Sequence, residues 1–376
     1  MPAQPKLLIA LAVYTALLLL IFRLPVFAFL DKAEKGRDEH LDGLRFFLAI
    51  AVVYHHAVFM FRYWSGFGWN EDGYVIGEKF GRFAVAGFFM LSAYLFANRR
   101  FDTLRSYAIF LAKRCLRILP MAYLISGICA IFMLCFRYEV MPALGPEHTP
   151  LNPWFWRDFL ITPFIPYVGT FLYTSNFNMG VMWTLTYEWG LYLSLPVIFW
   201  LRQQIGSMTV SILAIIILGW LAQTHLHAGA KFVVCFPIGF LARDLKGKIS
   251  IPQSISSAAV LAMLWCVFYS GSNVFNIENY ILLGIPFILI VSGTTVFGLL
   301  ETKAAVCLGE ASFSIYLLHG IFLFFLNEWT TLCHLSHLAY QPFFFLTVFL
   351  ICATSTFTFS FIEMPFLRVA RRLKSR

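Results

Sequence analysis

The chain has 376 residues, of which 60% are hydrophobic, 18% aromatic and 12% charged, and its mean hydropathy is +0.76. Soluble domains carry about twice this share of charged residues, so the composition excludes a soluble globular protein. The net charge of +9 requires no nucleic-acid partner, because the basic bias of cytoplasmic connections in a membrane protein accounts for it.

Apolar stretches recur along the whole chain, and about 18 or more apolar residues in a row can cross the hydrocarbon core of a bilayer. Inside lipid such stretches must be helical, because unpaired backbone groups are too costly there. We therefore predict an all-α polytopic membrane protein, a bundle of about eleven transmembrane helices without a soluble domain. The predicted spans are residues 7–30, 44–63, 83–98, 115–136, 183–201, 207–223, 230–242, 255–271, 280–299, 310–327 and 342–362.

The basic residues of the connections are divided unequally between the two sides of this predicted bundle. With the 31–43 connection placed inside, 19 of the 28 lysines and arginines lie in inside segments and 7 in outside segments. Because cytoplasmic loops are enriched in these residues, the bias predicts an N-terminus outside and a C-terminus in the cytoplasm. The first apolar run, 7–22, lacks a strongly basic start and a clear cleavage site, which favours an uncleaved helix over a signal peptide.

The second predicted span carries Arg45 near its start and the pair His55 and His56 well inside it. Eleven steps along a helix turn roughly 1100°, within about 20° of three full turns, so Arg45 and His56 share one face about 16 Å apart. His55 lies about 100° around the helix, where we expect it to pack against a neighbour. An ionisable group at membrane depth suggests a functional site, although a buried structural imidazole and an arginine reaching the interface would look alike.

Farther along, Arg114 and Arg117 lie three residues apart in the inside stretch 105–120 and so face the same way on a helix. Guanidinium groups in this arrangement suit the capture of phosphate. Ordinary positive-inside anchoring would place them there as well.

The connection 137–182 is long and rich in proline and aromatic residues. Connections of this length are commonly functional. Its aromatic rings suit stacking on sugars, and a belt at the membrane interface has the same composition.

Three further groups of polar residues lie within predicted spans. Glu188 is about 8 Å from the outer end of its helix by rise per residue, where a carboxylate can orient an imidazole, hold a hydroxyl substrate or bond to a neighbouring helix. Ser312, Tyr316 and His319 are spaced to share one face, and they either line a polar cavity or bond between helices. For Glu363, at the inner end of the last span, we expect a salt bridge to a cytoplasmic arginine.

Six motifs together resemble the acyltransferase family 3 membrane proteins: LDGLR…YHH, GFFMLSAYLF, RCLRILP, MWTLTYEWGLY, SFSIYLLH and a terminal E-x-P. They occur in family order between residues 40 and 368. The resemblance implies a ten-helix core that transfers acyl groups, usually acetyl from acetyl-CoA, to extracytoplasmic carbohydrates. It also implies that Arg45 and His56 match the family's Arg/His pair, that Arg114 and Arg117 match its Arg-x-x-Arg, and that Glu188 matches its carboxylate.

Two features depart from the family pattern. Ala93 stands where the family usually has glycine after Ser92, and there is an extra N-terminal span. We therefore expect residues 1–36 to form that span and its connection and residues 37–376 to form the acyltransferase domain. Many relatives carry a C-terminal esterase domain, whereas we expect this chain to be the stand-alone form.

The sequence thus predicts an O-acyltransferase of the inner membrane that uses His56, Arg45 and Glu188 in catalysis and holds acyl-CoA at Arg114 and Arg117. Its expected partners are acyl-CoA, a free or lipid-linked carbohydrate acceptor such as O-antigen, capsule or exopolysaccharide, and the bilayer. No permanently bound cofactor and no metal are expected, since the eight cysteines show no ligand spacing.

Two alternatives remain at this point. Lipid O-acyltransferases of other families are disfavoured, because the expected Asn partner is not evident and no histidine is followed five positions later by aspartate. A transporter or flippase for a lipid-linked sugar would use the same polar residues as a pathway.

Overall fold

The computed structural model describes residues 4–30, 38–66, 75–136, 153–166, 177–227, 229–269, 277–334 and 337–373. Throughout these ranges the regular secondary structure is helical, without a strand, which confirms the all-α prediction. The α-helices are α1 (Gln4–Ile21), α2 (Glu39–Trp64), α3 (Val75–Phe96), α4 (Leu104–Phe136), α5 (Pro153–Ile161), α6 (Trp183–Ile205), α7 (Ser207–Thr224), α8 (Cys235–Leu245), α9 (Gln253–Tyr269), α10 (Ile277–Val291), α11 (Lys303–Glu310), α12 (Ser312–Leu332), α13 (His337–Thr358) and α14 (Met364–Arg372).

The lengths and compositions of these helices confirm a polytopic membrane protein. Of the helices described, 6 are long and apolar enough to cross a bilayer: Glu39–Trp64, Gly77–Phe96, Leu104–Cys135, Ser207–Thr224, Ser312–Leu332 and Tyr340–Arg372. Three shorter apolar helices, Lys6–Ile21, Gln253–Tyr269 and Glu278–Val291, coincide with further predicted spans. The predicted spans 183–201 and 230–242 are helical, and their crossing of the membrane stays a prediction.

Two predicted spans end earlier than expected, each for a local reason. The span predicted over 280–299 corresponds to α10, which ends at Val291. Gly293 follows at φ 113°, and Val296 and Phe297 adopt φ 52° and 56°, values incompatible with a right-handed helix. Likewise α1 ends at Ile21, and a 3₁₀ segment follows at Pro25–Leu30, where the proline supplies no backbone N–H to continue the helix.

The chain forms two compact units, each with its own set of packed helices. Unit 1 comprises Met1–Phe59, Asn70–Arg100 and Leu193–Ser312, and unit 2 comprises Met60–Trp69, Phe101–Tyr192 and Phe313–Arg376. The boundary predicted between residues 36 and 37 lies in the segment 31–37, outside the described residues, and stays a prediction.

In unit 1 the first helix is part of the packed core. Leu18 is completely buried, and the hydroxyl of Tyr54 on α2 donates to the carbonyl of Leu11 on α1 at 3.3 Å. The Tyr54 hydroxyl is also 2.9 Å from that of Thr15. The additional N-terminal helix is therefore attached to α2 by polar as well as apolar contacts.

The beginning of α2 approaches two other segments of unit 1 through their backbones. A Cβ atom on Gly43 would lie 1.8 Å from the carbonyl oxygen of Leu300, and one on Gly309 of α11 would lie 1.8 Å from the carbonyl oxygen of Asp42. Such distances are far below van der Waals contact, so only glycine fits at either position. The two glycines fix the start of α2 and thereby the position of Arg45.

In unit 2, α4 packs against α14 and against a short π-helix, Phe359–Glu363, that links α13 to α14. A π-helical turn adds one residue to the helix and frequently occurs at functional sites. Here it ends at Glu363, which is 1% exposed.

Candidate functional site

The two adjacent histidines of α2 make different contacts in unit 1. The Nδ1 atom of His55 lies 2.8 Å from the carbonyl oxygen of Gly77 on α3, and its ring stacks edge-on against Phe59. A Cβ atom on Gly81 would lie 2.5 Å from the His55 ring. These contacts confirm the prediction that His55 packs against a neighbouring helix.

His56 makes a contact within its own helix that favours one tautomer of its ring. Its Nδ1 atom lies 3.2 Å from the carbonyl oxygen of Val52, one turn earlier. A carbonyl oxygen can only accept a hydrogen bond, so the contact is a hydrogen bond in the tautomer that carries its proton on Nδ1. In that tautomer Nε2 is the basic nitrogen, which is the arrangement that a proton acceptor requires.

Arg45 is paired with an acidic residue that the sequence analysis did not single out. Its guanidinium forms an ion pair with Asp42, three residues earlier, and the Asp42 side chain is only 4% exposed. The i, i+3 spacing of the two residues in the LDGLR segment was a visible signal for this pair. The pair directs the Arg45 side chain back toward the first turn of α2.

Unit 1 also contains a buried lysine with an unusual set of acceptors. Lys79 of α3 is 1% exposed, and its Nζ donates to the carbonyls of Val267 at 2.8 Å and Phe268 at 3.1 Å. Both carbonyls belong to the last turn of α9, where backbone acceptors lack helical partners and a cation is favourable. Lys79 thus caps α9 and ties it to α3.

In unit 2 the side-chain hydroxyl of Tyr192 connects Glu188 with Arg114. Tyr192 donates to Glu188 one turn earlier on α6, and its hydroxyl interacts with the Arg114 guanidinium of α4. The Arg114 guanidinium also lies over the Phe110 ring, 5.7 Å from its centroid. Two residues assigned by sequence to separate roles are therefore linked by one buried hydroxyl.

Arg117 is engaged by Glu363, so the salt bridge expected for Glu363 is present. Their closest N–O distance is 2.8 Å, and the Glu363 side chain is fully buried. The other carboxylate oxygen of Glu363 accepts a hydrogen bond from Ser314 at 2.5 Å, and Thr358 donates to Ser314 at 3.0 Å. The sequence did not identify Ser314 as a partner of Glu363, because a single small polar residue in an apolar helix does not predict a particular contact.

The three residues expected to line a cavity are all buried, at 4% exposure for Ser312, 8% for Tyr316 and 0% for His319. The Tyr316 hydroxyl donates to the carbonyl of Val181 at 2.7 Å and lies 3.0 Å from the Thr184 hydroxyl. The Nδ1 atom of His319 lies 3.2 Å from the carbonyl of Ile315. For Tyr316 these contacts correspond to hydrogen bonding between segments of the chain rather than to the lining of a polar cavity.

The structure divides the predicted site residues between the units. Arg45, His56 and Ser312 belong to unit 1, whereas Arg114, Arg117, Glu188, Tyr316 and His319 belong to unit 2.

Much of the long connection lies outside the described residues, namely 137–152 and 167–176. Its described part includes α5, where Trp156 is 54% exposed and the carbonyl of Leu160 accepts a hydrogen bond from Tyr123 at 2.7 Å. A sugar-stacking role for this segment remains a prediction. Across the described ranges, histidine, cysteine, aspartate and glutamate side chains form no group of three or more suited to a metal ion.

Comparison with known proteins places these residues in a family context. The model of the family described as "Acyltransferase domain" matches residues 38–362. Nodulation protein 10 of Rhizobium leguminosarum bv. viciae is 27% identical over 220 residues, which cover 54% of this chain and 55% of that protein. The chain thus spans about half the length of this curated relative. No solved structure matches.

Proposed function

Because the chain belongs to the acyltransferase family described above, we propose that this membrane acyltransferase takes its acyl group, in the simplest case acetyl, from cytoplasmic acyl-CoA. In this proposal the acceptor is a hydroxyl of an extracytoplasmic carbohydrate, such as O-antigen, capsule or exopolysaccharide, free or lipid-linked. Acyl transfer in general follows from the family. The donor, the acceptor and the direction across the membrane are the proposed parts.

The observation that carries the proposal is the contact between His56 Nδ1 and the Val52 carbonyl. With Nδ1 donating to the Val52 carbonyl, Nε2 can accept the proton of an acceptor hydroxyl as general base. The hydroxyl oxygen then bonds to the thioester carbonyl carbon, the carbon–sulfur bond breaks, and the imidazolium returns the proton to the CoA sulfur. The same nitrogen also suits a two-step route in which it first carries the acyl group itself.

The remaining residues are assigned to substrate binding. We assign Arg114 and Arg117 to the phosphates of acyl-CoA. A guanidinium has five N–H donors, so it can bind a phosphate while it also holds a partner within the protein. Glu188, held by Tyr192, is assigned to orienting the acceptor hydroxyl. Arg45, on the same face of α2 as His56, is assigned to the path of the CoA arm.

The orientation of the chain is part of the proposal, because donor and acceptor come from opposite sides. We expect a reporter fused after Arg376 to report the cytoplasm and a tag before Lys6 to report the outer side, as the Lys/Arg bias predicts. A tag before Lys6 that reports the cytoplasm would contradict the proposed arrangement of spans.

The activity is tested by comparing surface glycans from cells that express the wild type, His56→Asn or no protein. Mass spectrometry is expected to show acylated glycan only with the wild type, at equal membrane levels of the two proteins. In parallel, purified protein in liposomes is supplied with acetyl-CoA, and the released CoA thiol is measured.

A transporter or flippase for a lipid-linked sugar is the second candidate, since polar residues at membrane depth also line transport pathways. It predicts no CoA release and no acyl group added to any glycan. Release of CoA that depends on His56 would exclude it.

A further inference from the structure

Unit 1 contains a cavity of about 440 Å³ that none of the roles assigned above uses. Its lining includes Asn98, Arg99, Arg100, Arg202, Gln203 and Asp244. Cavities that bind small molecules typically measure about 300–1,000 Å³. We call it the Arg99 cavity.

One charged pair forms a fixed part of the cavity wall. Arg202 is 8% exposed, and its guanidinium donates to Asp244 at 2.7 Å and to the Ser211 hydroxyl at 2.9 Å. It also lies over the Phe240 ring, 5.2 Å from the centroid. Asp244, the one carboxylate among the described lining residues, is therefore neutralised by a guanidinium that has further partners of its own.

Arg99 and Arg100 are in a different situation. Both are exposed, and in the part of the chain that the structure describes neither side chain forms a hydrogen bond or ion pair with protein. With Arg202 and Asp244 compensating each other, these two residues give the cavity two positive charges without an internal counter-charge. The predicted topology places this segment, between α3 and α4, on the cytoplasmic side.

The positive charges and polar groups that line the Arg99 cavity indicate the chemistry of a ligand that would fit it. Guanidinium groups hydrogen-bond phosphate in a bidentate manner, and the Gln203 amide and Ser207 hydroxyl, which also lines the cavity, suit polar groups beside a phosphate. Basic residues that serve only positive-inside topology need no cavity between them.

We propose that the Arg99 cavity binds a phosphate-bearing organic ligand, with the phosphate between Arg99 and Arg100 and the remainder against Arg202 and Gln203. Two sources supply this chemistry: a soluble nucleotide such as CoA, and the headgroup of an anionic phospholipid. The site is distinct from Arg114 and Arg117 and does not depend on the proposed reaction.

The test uses full-length protein in nanodiscs and the double variant Arg99→Gln/Arg100→Gln. The matched control is Arg105→Gln/Arg368→Gln, which removes two exposed arginines outside the cavity and changes the net charge equally. In the first arm, nanodiscs of phosphatidylcholine are titrated calorimetrically with CoA, with Arg114→Ala present in every protein so that binding at Arg114 and Arg117 is weakened equally. In the second arm, phosphatidylglycerol retained by the protein from mixed phosphatidylcholine/phosphatidylglycerol nanodiscs is counted by native mass spectrometry.

We expect the cavity variant to weaken binding at least about ten-fold in one arm, as loss of charge-assisted hydrogen bonds implies, while the control binds like the wild type. Loss in the first arm identifies a nucleotide, and loss in the second identifies a lipid headgroup. The proposal is overturned if the cavity variant and the control behave alike in both arms, or if the wild type retains neither ligand. Acyl transfer can fail in the glycan assay without changing any of these outcomes.

Discussion

The histidine pair of α2 and the arginine pair of α4 show two ways of placing polar groups inside a helical membrane protein. His55 and His56 each face a backbone carbonyl, of Gly77 and Val52 respectively, and a neutral imidazole needs no counter-charge there. Arg114 and Arg117 are permanently charged and are held by groups that include the Tyr192 hydroxyl and the Glu363 carboxylate. A neutral imidazole is thus satisfied by a backbone acceptor, whereas the guanidinium groups depend on their acceptors for stability.

The largest effect is expected at His56. His56→Asn removes the basic nitrogen at similar volume, so turnover should fall about 10²–10⁴-fold, the usual contribution of a general base, while acyl-CoA binding persists. Steady-state kinetics and CoA titration of the purified protein measure both quantities.

His55→Asn is the matched control one residue away. It loses the contact with Gly77 and should lower stability by about 1–3 kcal/mol while keeping most of the turnover. An inactive His55 variant beside an active His56 variant would reverse the assignment of the two residues.

The next largest effect is expected at the ion pair between Arg117 and the buried Glu363. Glu363→Gln leaves the Arg117 guanidinium, which is 26% exposed, without its carboxylate, so the loss should lie below the ~3–5 kcal/mol of a fully buried pair broken from one side. Denaturant-induced unfolding in detergent micelles measures this loss.

The double variant Arg117→Gln/Glu363→Gln removes both charges and should be less destabilised than the sum of the single variants. Additive losses would show that the pair contributes no coupling energy.

A smaller effect is expected for donor binding at Arg114. Arg114→Ala should weaken acyl-CoA binding by about 1.5–3 kcal/mol, or roughly ten- to a hundred-fold, through loss of a charge-assisted hydrogen bond. Arg114→Lys should recover only part of the acyl-CoA affinity, because an ammonium group lacks the planar, bidentate geometry of the guanidinium. Calorimetric titration with CoA checks this.

The variant Tyr192→Phe distinguishes donor binding by Arg114 from the contact between Arg114 and the Tyr192 hydroxyl. It removes the hydroxyl between Arg114 and Glu188 but keeps the ring that packs edge-on against Phe110 at 5.7 Å. If CoA affinity is unchanged in Arg114→Ala and falls only in Tyr192→Phe, Arg114 does not bind the donor.

The smallest effect is expected at an exposed ion pair of unit 1, which shows how little a charged pair contributes in water. Lys246 lies 2.9 Å from Asp38, and its hydrogen bond holds the pKa of Asp38 below the usual value. Because the folded pKa is below the unfolded one, the pair stabilises the protein above about pH 4 and ceases to do so as the pH falls through the folded pKa. Solvent screening limits the effect to about 1 kcal/mol or less.

Unfolding of the wild type and of Asp38→Asn, measured from neutral pH down to about pH 3, isolates this contribution. The two proteins should differ at neutral pH and converge in acid. A difference that grows in acid would mean that the folded pKa of Asp38 lies above the unfolded one, the opposite of the expected direction.

Hydropathy was sufficient to predict the helices, because lipid leaves the backbone few other options. The pairing of Glu363 with an arginine was also predictable, since a buried carboxylate needs a cation or several donors. The Arg45–Asp42 ion pair could have been predicted from the spacing of the two residues within one helix, but the sequence analysis did not identify it.

The contacts that could not be predicted join distant parts of the chain. Lys79 reaches carbonyls at the end of α9, 188 residues away along the chain for Val267, and backbone carbonyls leave no trace in a sequence. The bridge from Arg114 to Glu188 through Tyr192 depends on how α4 and α6 are rotated against each other. One sequence does not specify such rotations, since apolar residues surround both helices and many faces would suit burial equally.

The glycine contacts at the start of α2 have a mechanical consequence. At Gly43 and Gly309 the polypeptide backbones touch directly, with no side chain between them to change rotamer and absorb a displacement. Sliding or rotation of the first turn of α2 would therefore have to carry α11 and the 299–301 turn along with it. We therefore expect these three segments to move together as one rigid body.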